Sequence, residues 1–464
     1  MSVVVQITGR IYMISKYRGI LVWLKQQIED KHFKAGDKLP SIRTLADQFQ
    51  CSKNTVIKAL LELEKQHIVY SKPKSGYYVV HTHIVPDETY DVDFLSVGPD
   101  ERTMPYEDFQ HCINKAIEYY KIQIFAYSEP QGLLSLRKEL VNYLHHSQVF
   151  TKPERLVITS GSQQALNILS IMPFLNGKKK VLIEQPTYYG MINTLQLNQN
   201  EILGIDLTMD GIDFGKLEAL FRDEDIKFFY TMPRFHNPLG HHYTNEDKKR
   251  MVALAEKYDV YIVEDDYLAE FDENSKADPL FAYEPNGRVI YVKSFSKVFV
   301  PGLRIATVIL PESMVDPFIN YKFVSDFNTS TLSQGALEIY LKSGMFHYHV
   351  DTVKKLYINK MTILLNACSS YLPDYIEYTK PQGGLYLTIF LPSRVNINKL
   401  IDLLKEKRIY VDNASRMYLE ENKQNAIRIS ISKVNKDKIE YGIRELAACI
   451  VDMVEKKKDT IIWN

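Results

Sequence analysis

Between residues 14 and 28, apolar side chains recur at steps of three and four (Ile14, Tyr17, Leu21, Leu24, Ile28), the period of one helix face. HFKAGDKLP follows, broken by Gly36 and Pro40. A short helix from about Ser41 turns Leu45 and Phe49 inward. Gln50-Cys51-Ser52 predicts a tight turn, and Ser52 is placed to cap a further helix with inward positions Val56, Leu60 and Leu63. IVYSKPKSGYYVV then sets β-forming residues on both sides of a Lys-Pro-Lys-Ser-Gly turn, which predicts a hairpin. Beyond a short polar connector, residues 81–91, the period changes. Strand-like runs at 156–159, 180–186, 227–233, 260–265, 288–294 and 304–310 are separated by helix-length segments. That alternation predicts an α/β body with a mostly parallel sheet and helices on both faces.

Composition leaves this division standing. A chain of 464 residues exceeds what one core holds, with ordinary hydrophobic (45%) and charged (25%) content. It has no apolar run of the roughly 20 residues that cross a bilayer. The beginning lacks the pattern of a secretory signal. MISKYRGILVWL already reads as a complete opening, so translation is expected to start at Met13. Cys51, Cys112, Cys368 and Cys449 lie far apart and form no CxxC pair, as expected of reduced structural thiols in a cytoplasmic protein. The net charge of zero conceals an asymmetry. Residues 10–80 hold 13 Lys and Arg against 6 Asp and Glu, hence +7, and the remainder holds 44 against 51, hence −7. A basic head on an acidic body points to a nucleic-acid partner for the head alone.

Helix, helix, turn, helix, hairpin is the order of a winged helix-turn-helix, here residues 14–80. Its third helix presents Lys53, Asn54, Thr55 and Lys58 on the early, outward side, where a recognition helix meets bases and phosphates. The wing tip offers Lys72 and Lys74 to the DNA backbone. GDKLPSIRTLADQFQCSKNTVIKALLELE with the SGYYV wing resembles the GntR family of bacterial DNA-binding domains. The resemblance implies Ser41, Arg43, Lys53, Thr55 and Gly76 as contacts to double-stranded operator DNA. The family's usual arginine after the helix-opening serine is Lys53 here, which keeps the charge and loses a bidentate guanine reader. The alternative is a winged helix used for protein contact.

In the body, several strands end in polar residues, and in such sheets ligands gather at the carboxyl ends. Ser160-Gly161-Ser162-Gln163 opens a helix, a natural phosphate cradle. Glu264-Asp265-Asp266-Tyr267 ends another strand; a carboxylate there could keep a ring nitrogen protonated, and the alternative is a surface acidic turn. Ser294-Phe295-Ser296-Lys297 with Arg304 suits a phosphorylated aldehyde: the lysine joins the aldehyde and the others hold phosphate. His236, His241 and His242 read as turn histidines, without metal-ligand spacing.

The motifs YSEPQGLLSLRKEL, TSGSQQAL, EQPTYYG, HNPLG, EDDYLAEF, SFSKVFVPGLRI, PQGGLYL and AIRIS follow in one order. Together they resemble the fold-type I pyridoxal-phosphate enzymes of the aminotransferase class, over residues 92–464. The resemblance implies pyridoxal 5'-phosphate attached at Lys297, Asp265 on its ring nitrogen, and Asn237 and Tyr267 on its phenolic oxygen. Tyr188, with Tyr189 as the neighbouring candidate, would stack on the ring. Ser162, Gln163, Ser294, Ser296 and Arg304 would hold the phosphate, Tyr127 would reach the phosphate of the other subunit of a homodimer, and Arg428 would take the carboxylate of an amino acid. Lys297, Asp265 and Tyr267 are the expected catalytic set.

Head and body together resemble the MocR subfamily of bacterial transcription regulators. That resemblance implies a homodimeric, operator-binding regulator whose body senses pyridoxal phosphate or an amino compound such as an amino acid. The alternative is a working aminotransferase with a secondary head, because the residues for exchange of amines are those for transamination.

Overall fold

The computed structural model describes residues 2–7, 10–30, 32–34, 36–65, 68–72, 75–79, 91–273, 277–420 and 424–461. Lys74 and the connector up to residue 90 lie outside them, and Lys72 enters only as the end of a strand. The chain divides into two compact units, residues 1–90 and 91–464.

The first unit opens with an antiparallel hairpin, β1 (Ser2–Ile7) and β2 (Arg10–Ser15). Helices α1 (Lys16–Glu29), α2 (Ile42–Gln48) and α3 (Lys53–Lys65) and a second hairpin, β3 (Val69–Lys72) and β4 (Gly76–Val79), complete it. Ile14 is therefore a strand residue and not the first turn of α1, contrary to the helical spacing. Its β-forming neighbours pair with the preceding strand, Val3 opposite Ile14, and a helix period cannot reveal that pairing. α1 buries Ile20 and Leu24 against Leu45, Val56, Leu60, Leu63, Val69 and Val79. Ser41 and Ser52 cap α2 and α3: their Oγ atoms accept the N–H of Thr44 at 3.1 Å and of Thr55 at 3.2 Å.

The second unit is built on an eight-stranded sheet. In chain order, β5 (Val92–Asp93) precedes its strands β6 (Leu156–Thr159), β7 (Lys180–Gln185), β8 (Ile202–Thr208), β9 (Gly211–Ile212), β10 (Ile226–Thr231), β11 (Tyr261–Asp265), β12 (Val289–Ser294) and β13 (Ala306–Ile309). Their spatial order is β6-β13-β12-β11-β10-β7-β8-β9. Pairing is parallel from β12 through β8, while β13 runs antiparallel to both neighbours and β9 turns back on β8. β6, β10, β11, β12 and β13 are buried at every residue, the expected condition of strands covered on both faces, which is why they read as unbroken apolar runs. A smaller antiparallel sheet joins β14 (Tyr386–Phe390), β17 (Ala426–Ser430) and β16 (Asp412–Asn413), while β15 (Ile409–Tyr410) pairs with β5. Among the described residues, no helix is long and apolar enough to cross a membrane. All four cysteines are free, three of them buried.

Candidate functional site

The carboxyl end of β11 carries three consecutive acids, Glu264, Asp265 and Asp266, all of them buried, which rules out a surface acidic turn. Alternation along a strand sends neighbours to opposite faces, and each acid meets a different partner. Glu264 accepts the N–H groups of Leu280 and Phe281, both at 2.9 Å, and burial pushes it up to about 7. Burial would also raise Asp266, but Arg234 and Lys293, together with the Tyr291 hydroxyl at 2.7 Å, outweigh it and hold the carboxyl below its usual range. Asp265 has no such cation in contact among the described residues. Tyr230 donates its hydroxyl to Oδ2 at 2.8 Å, and Oδ1 is buried without a hydrogen-bond partner among the described residues. Burial pushes this carboxyl up to about 6, with Tyr230, Lys293 and Lys297 pulling the other way.

Asp265 lines a cavity of about 300 Å³. Around it stand Ser162, Gln163, Tyr188, Asn237, Tyr267, Ser294, Ser296, Lys297, Arg304 and Arg428, so the structure brings together every residue expected at the chain's own site, Tyr127 being expected at that of the other subunit. Tyr127 is 87% exposed, its ring 5.5 Å from that of Phe327, and it does not line its own chain's cavity.

Local geometry explains the placement. β12 ends at Ser294, whose Oγ accepts the N–H of Ser296 at 3.3 Å, and Lys297 follows with its amine on the Val97 carbonyl. Arg304 closes a turn at Pro301–Leu303 in the left-handed region, φ 55°, and its Nη2 meets the Ser160 carbonyl at 3.4 Å. Gly161 has φ 88°, and a Cβ built there would sit 2.4 Å from Arg304 Nη2. The glycine therefore leaves room for the guanidinium beside the first turn of the helix Ser162–Ile171, whose N–H groups and dipole favour an anion. The orphaned Oδ1 of Asp265 and this cationic cradle, on the wall of one cavity, fit a ring that carries a protonated nitrogen and a phosphate.

Other expected groups are already engaged. Gln163 gives its amide to Gly190 O at 3.3 Å and to Thr194 Oγ1, and its Oε1 accepts the Tyr188 hydroxyl at 3.3 Å, which ties it to the helix Tyr189–Leu197. Tyr267 donates its hydroxyl to the Phe235 carbonyl. Asn237 Oδ1 accepts Arg428 Nη1 at 3.1 Å, leaving the amide Nδ2 as its donor. Arg428 itself lies 2.6 Å from Asp412 Oδ2. Sequence reasoning missed Asp412 and Tyr230, and the lining residues Val97, Gly98, Met232, Pro301 and Tyr386; both tyrosines of the TYY motif, Tyr188 and Tyr189, line the cavity. The only sequence signal for Tyr230 was a polar hydroxyl in the apolar run FFYT.

The three turn histidines are buried or half-buried. His236 Nε2 lies 3.2 Å from Glu184, which also accepts the hydroxyls of Thr231 at 2.7 Å and Tyr243 at 2.8 Å. Burial pushes His241 and His242 down to about 4, so both are neutral at physiological pH. Among the described residues no His, Cys, Asp or Glu group could hold a metal.

In the first unit, α3 exposes Lys53, Asn54 and Lys58, while Thr55 is half-buried against Ser52. Arg43 is exposed on α2, and Gly76 turns the wing with φ 118°.

Residues 102–446 match the aminotransferase class I and II family, and residues 16–79 match the bacterial regulatory proteins of the gntR family. The uncharacterized HTH-type transcriptional regulator YcxD of Bacillus subtilis is 43% identical over 440 residues, covering 93% of this chain and 99% of its own. The crystal structure of Pyrococcus horikoshii kynurenine aminotransferase, in complex with PMP, superposes with a TM-score of 0.73 at 26% identity, over 79% of this chain and 92% of that one. LysN, the α-aminoadipate aminotransferase of Thermus thermophilus, complexed with N-(5'-phosphopyridoxyl)-L-leucine, superposes with a TM-score of 0.72 at 26% identity, over 79% and 94%.

Proposed function

The chain belongs to the aminotransferase class I and II family and carries a head of the bacterial gntR family, and on that premise we propose that it is a cytoplasmic, homodimeric transcription regulator that binds pyridoxal 5'-phosphate, senses an amino compound and binds operator DNA. The observation that carries this reading is the gathering of Lys297, Asp265, Tyr267, Asn237, Ser162, Ser294, Ser296 and Arg304 around one cavity, in a chain whose other unit exposes a basic recognition helix. The domain division 14–80, 81–91 and 92–464 belongs to the same reading.

Pyridoxal phosphate supplies an aldehyde that joins amines reversibly and a ring that withdraws electrons. The chain's own residues account for its reception. Lys297 offers its amine at the cavity wall. Asp265 Oδ1, buried without a hydrogen-bond partner among the described residues, would hold a proton on the ring nitrogen, which would offset the cost of burying that carboxylate. Asn237 and Tyr267 would meet the phenolic oxygen, Tyr188 would cover the ring, and Ser162, Gln163, Ser294, Ser296 and Arg304 would hold the phosphate. Tyr127 would reach the partner subunit's phosphate site, a role its exposure supports. Arg428 is the cation that meets a carboxylate on the ligand if it has one. In the head, Ser41, Arg43, Lys53, Asn54, Thr55, Lys58 and Gly76 are the residues for DNA, joined by Lys72 and Lys74 on the sequence alone. Regulation needs only that the ligand prefers one conformation of the body, because equal affinity shifts nothing.

Transaminase turnover is the weaker reading, because the full-length relative is named for regulation. The test is a footprint on the DNA upstream of the chain's own gene, with the cofactor-free protein, with pyridoxal phosphate, and with the cofactor plus a panel of amines and amino acids. Protection that changes with cofactor or amine supports the regulator. Absence of protection together with fast conversion of the cofactor by amino acids would overturn it.

A further inference from the structure

Arg428 and Asp412 face each other across the antiparallel pair β17 and β16. Both are almost fully buried, at 1% and 4% exposure. The guanidinium lines the cavity and the carboxylate stands behind it. Asp412 Oδ2 takes Arg428 Nη2 at 2.6 Å, and Nη2 also meets the Leu95 carbonyl at 3.4 Å. Nη1 is given to Asn237 Oδ1 at 3.1 Å, and the Tyr386 ring lies 4.8 Å from Cζ. Nε is buried with no hydrogen-bond partner among the described residues. The same Oδ2 of Asp412 also accepts Arg416 Nη2 at 2.8 Å, and Arg416, half-exposed, lies over the ring of Tyr189, 4.2 Å from its centroid.

This arrangement bears on the ligand. An isolated buried guanidinium would draw a carboxylate strongly, since an unpaired buried charge is costly. Here the counter-charge is built in. A ligand carboxylate arriving at Arg428 would put a second negative charge on one guanidinium in a buried setting, or would have to displace Asp412 towards Arg416. Either way it competes with the chain's own carboxylate. An amine without a carboxylate beside its nitrogen meets no such competitor.

We propose that Asp412 is the residue that sets ligand selectivity: by neutralising Arg428 from behind, it favours primary amines that lack an α-carboxylate over the corresponding amino acids. This rests on the reading of the cavity as a pyridoxal phosphate site. Asp412 does not touch the ligand and acts through Arg428, as a positioning residue. Arg416 tunes it by sharing the same carboxylate oxygen.

The test uses the full chain loaded with pyridoxal phosphate and follows the absorbance of the bound cofactor during titration with a matched pair of probes, L-leucine and 3-methylbutylamine. The quantity read is the ratio of the two apparent affinities, amino acid over amine. Asp412→Asn, which keeps the hydrogen-bond acceptor and removes the charge, should raise that ratio roughly tenfold, the size of effect that one charge removed from a shared site produces. Asp412→Glu should leave the ratio near the wild-type value. Arg416→Gln, a change at a half-exposed side chain, should move it the opposite way, because Asp412 is then left to Arg428 alone. An Asp412→Asn ratio within twofold of wild type overturns the proposal. If that variant does not fold, an Arg416→Gln ratio within twofold of wild type does the same. A wild-type protein that takes up no cofactor at all overturns the underlying reading and this proposal with it, and is recognised by the missing absorbance before any probe is added.

Discussion

The hydroxyl of Tyr230 donates to Asp265 Oδ2 at 2.8 Å, so one oxygen of the buried carboxylate is satisfied and the other, Oδ1, is left without a partner among the described residues. A carboxylate pushed up to about 6 by burial is a liability until something gives Oδ1 a proton or a donor. The site is thus destabilised at the residue proposed to meet the cofactor's ring nitrogen, and on that proposal binding would relieve it.

Asp265→Asn should therefore stabilise the cofactor-free protein while abolishing tight cofactor binding. The sign follows from proton linkage. An acid whose carboxyl rises from 3.8 unfolded to about 6 folded binds more protons in the folded state between those values. Its penalty is absent below 3.8, grows as pH rises, and is complete above about 6. That amounts to about 3 kcal/mol at pH 7 and about half of it at pH 5, to order of magnitude. Thermal unfolding of the two cofactor-free proteins should show a gain for Asp265→Asn at pH 7 that shrinks at pH 5. A gain that grows on acidification would contradict the assignment.

Gly161→Ala should cost cofactor affinity without touching any group that meets the ring. The backbone there has φ 88°, and the added methyl would fall 2.4 Å from Arg304 Nη2. Strain at such a position is about 1–3 kcal/mol. Since Arg304 must shift as well, the dissociation constant for pyridoxal phosphate, followed by absorbance, should rise by at least about tenfold. Inorganic phosphate should compete less well in the variant than in the wild type.

Arg43→Ala and Lys53→Ala should weaken DNA binding and leave the cofactor spectrum unchanged. Each lost phosphate contact should lower the slope of log affinity against log salt by about 0.9. If Lys53 instead contacts a base, its variant should relax sequence preference by about 1–3 kcal/mol and leave the slope nearly intact. Fluorescence anisotropy on the upstream DNA at several salt concentrations separates the two.

Much of this architecture was legible in the residues because buried parallel strands are written as continuous apolar runs with polar groups at their ends. LVIT, VYIVED and RVIYVKS show both features, and their ends are where Ser162, Asp265 and Ser294 stand. β8 was not legible: its exposed positions alternate with buried ones, and ILGIDLT lacks the unbroken run of its neighbours. Ile14 was misread because a β-forming run next to a helix can extend the helix's apolar period by chance. Asp412 was invisible for a deeper reason. Its meaning comes from lying opposite Arg428 in a strand register of two residues, which no spacing along the chain expresses. Tyr230 was hidden likewise, since a tyrosine in an apolar strand shows nothing of what its hydroxyl meets.

The most direct measurement is DNA binding by the full chain with pyridoxal phosphate, with and without an added amine, compared between wild type and Lys297→Ala. Among the described residues, Lys297 is the one lysine that lines the cavity. In the wild type the amine should change the affinity or the footprint, whereas Lys297→Ala should stay folded, bind the same DNA and show no response to the amine. An equal response in both proteins would contradict the account.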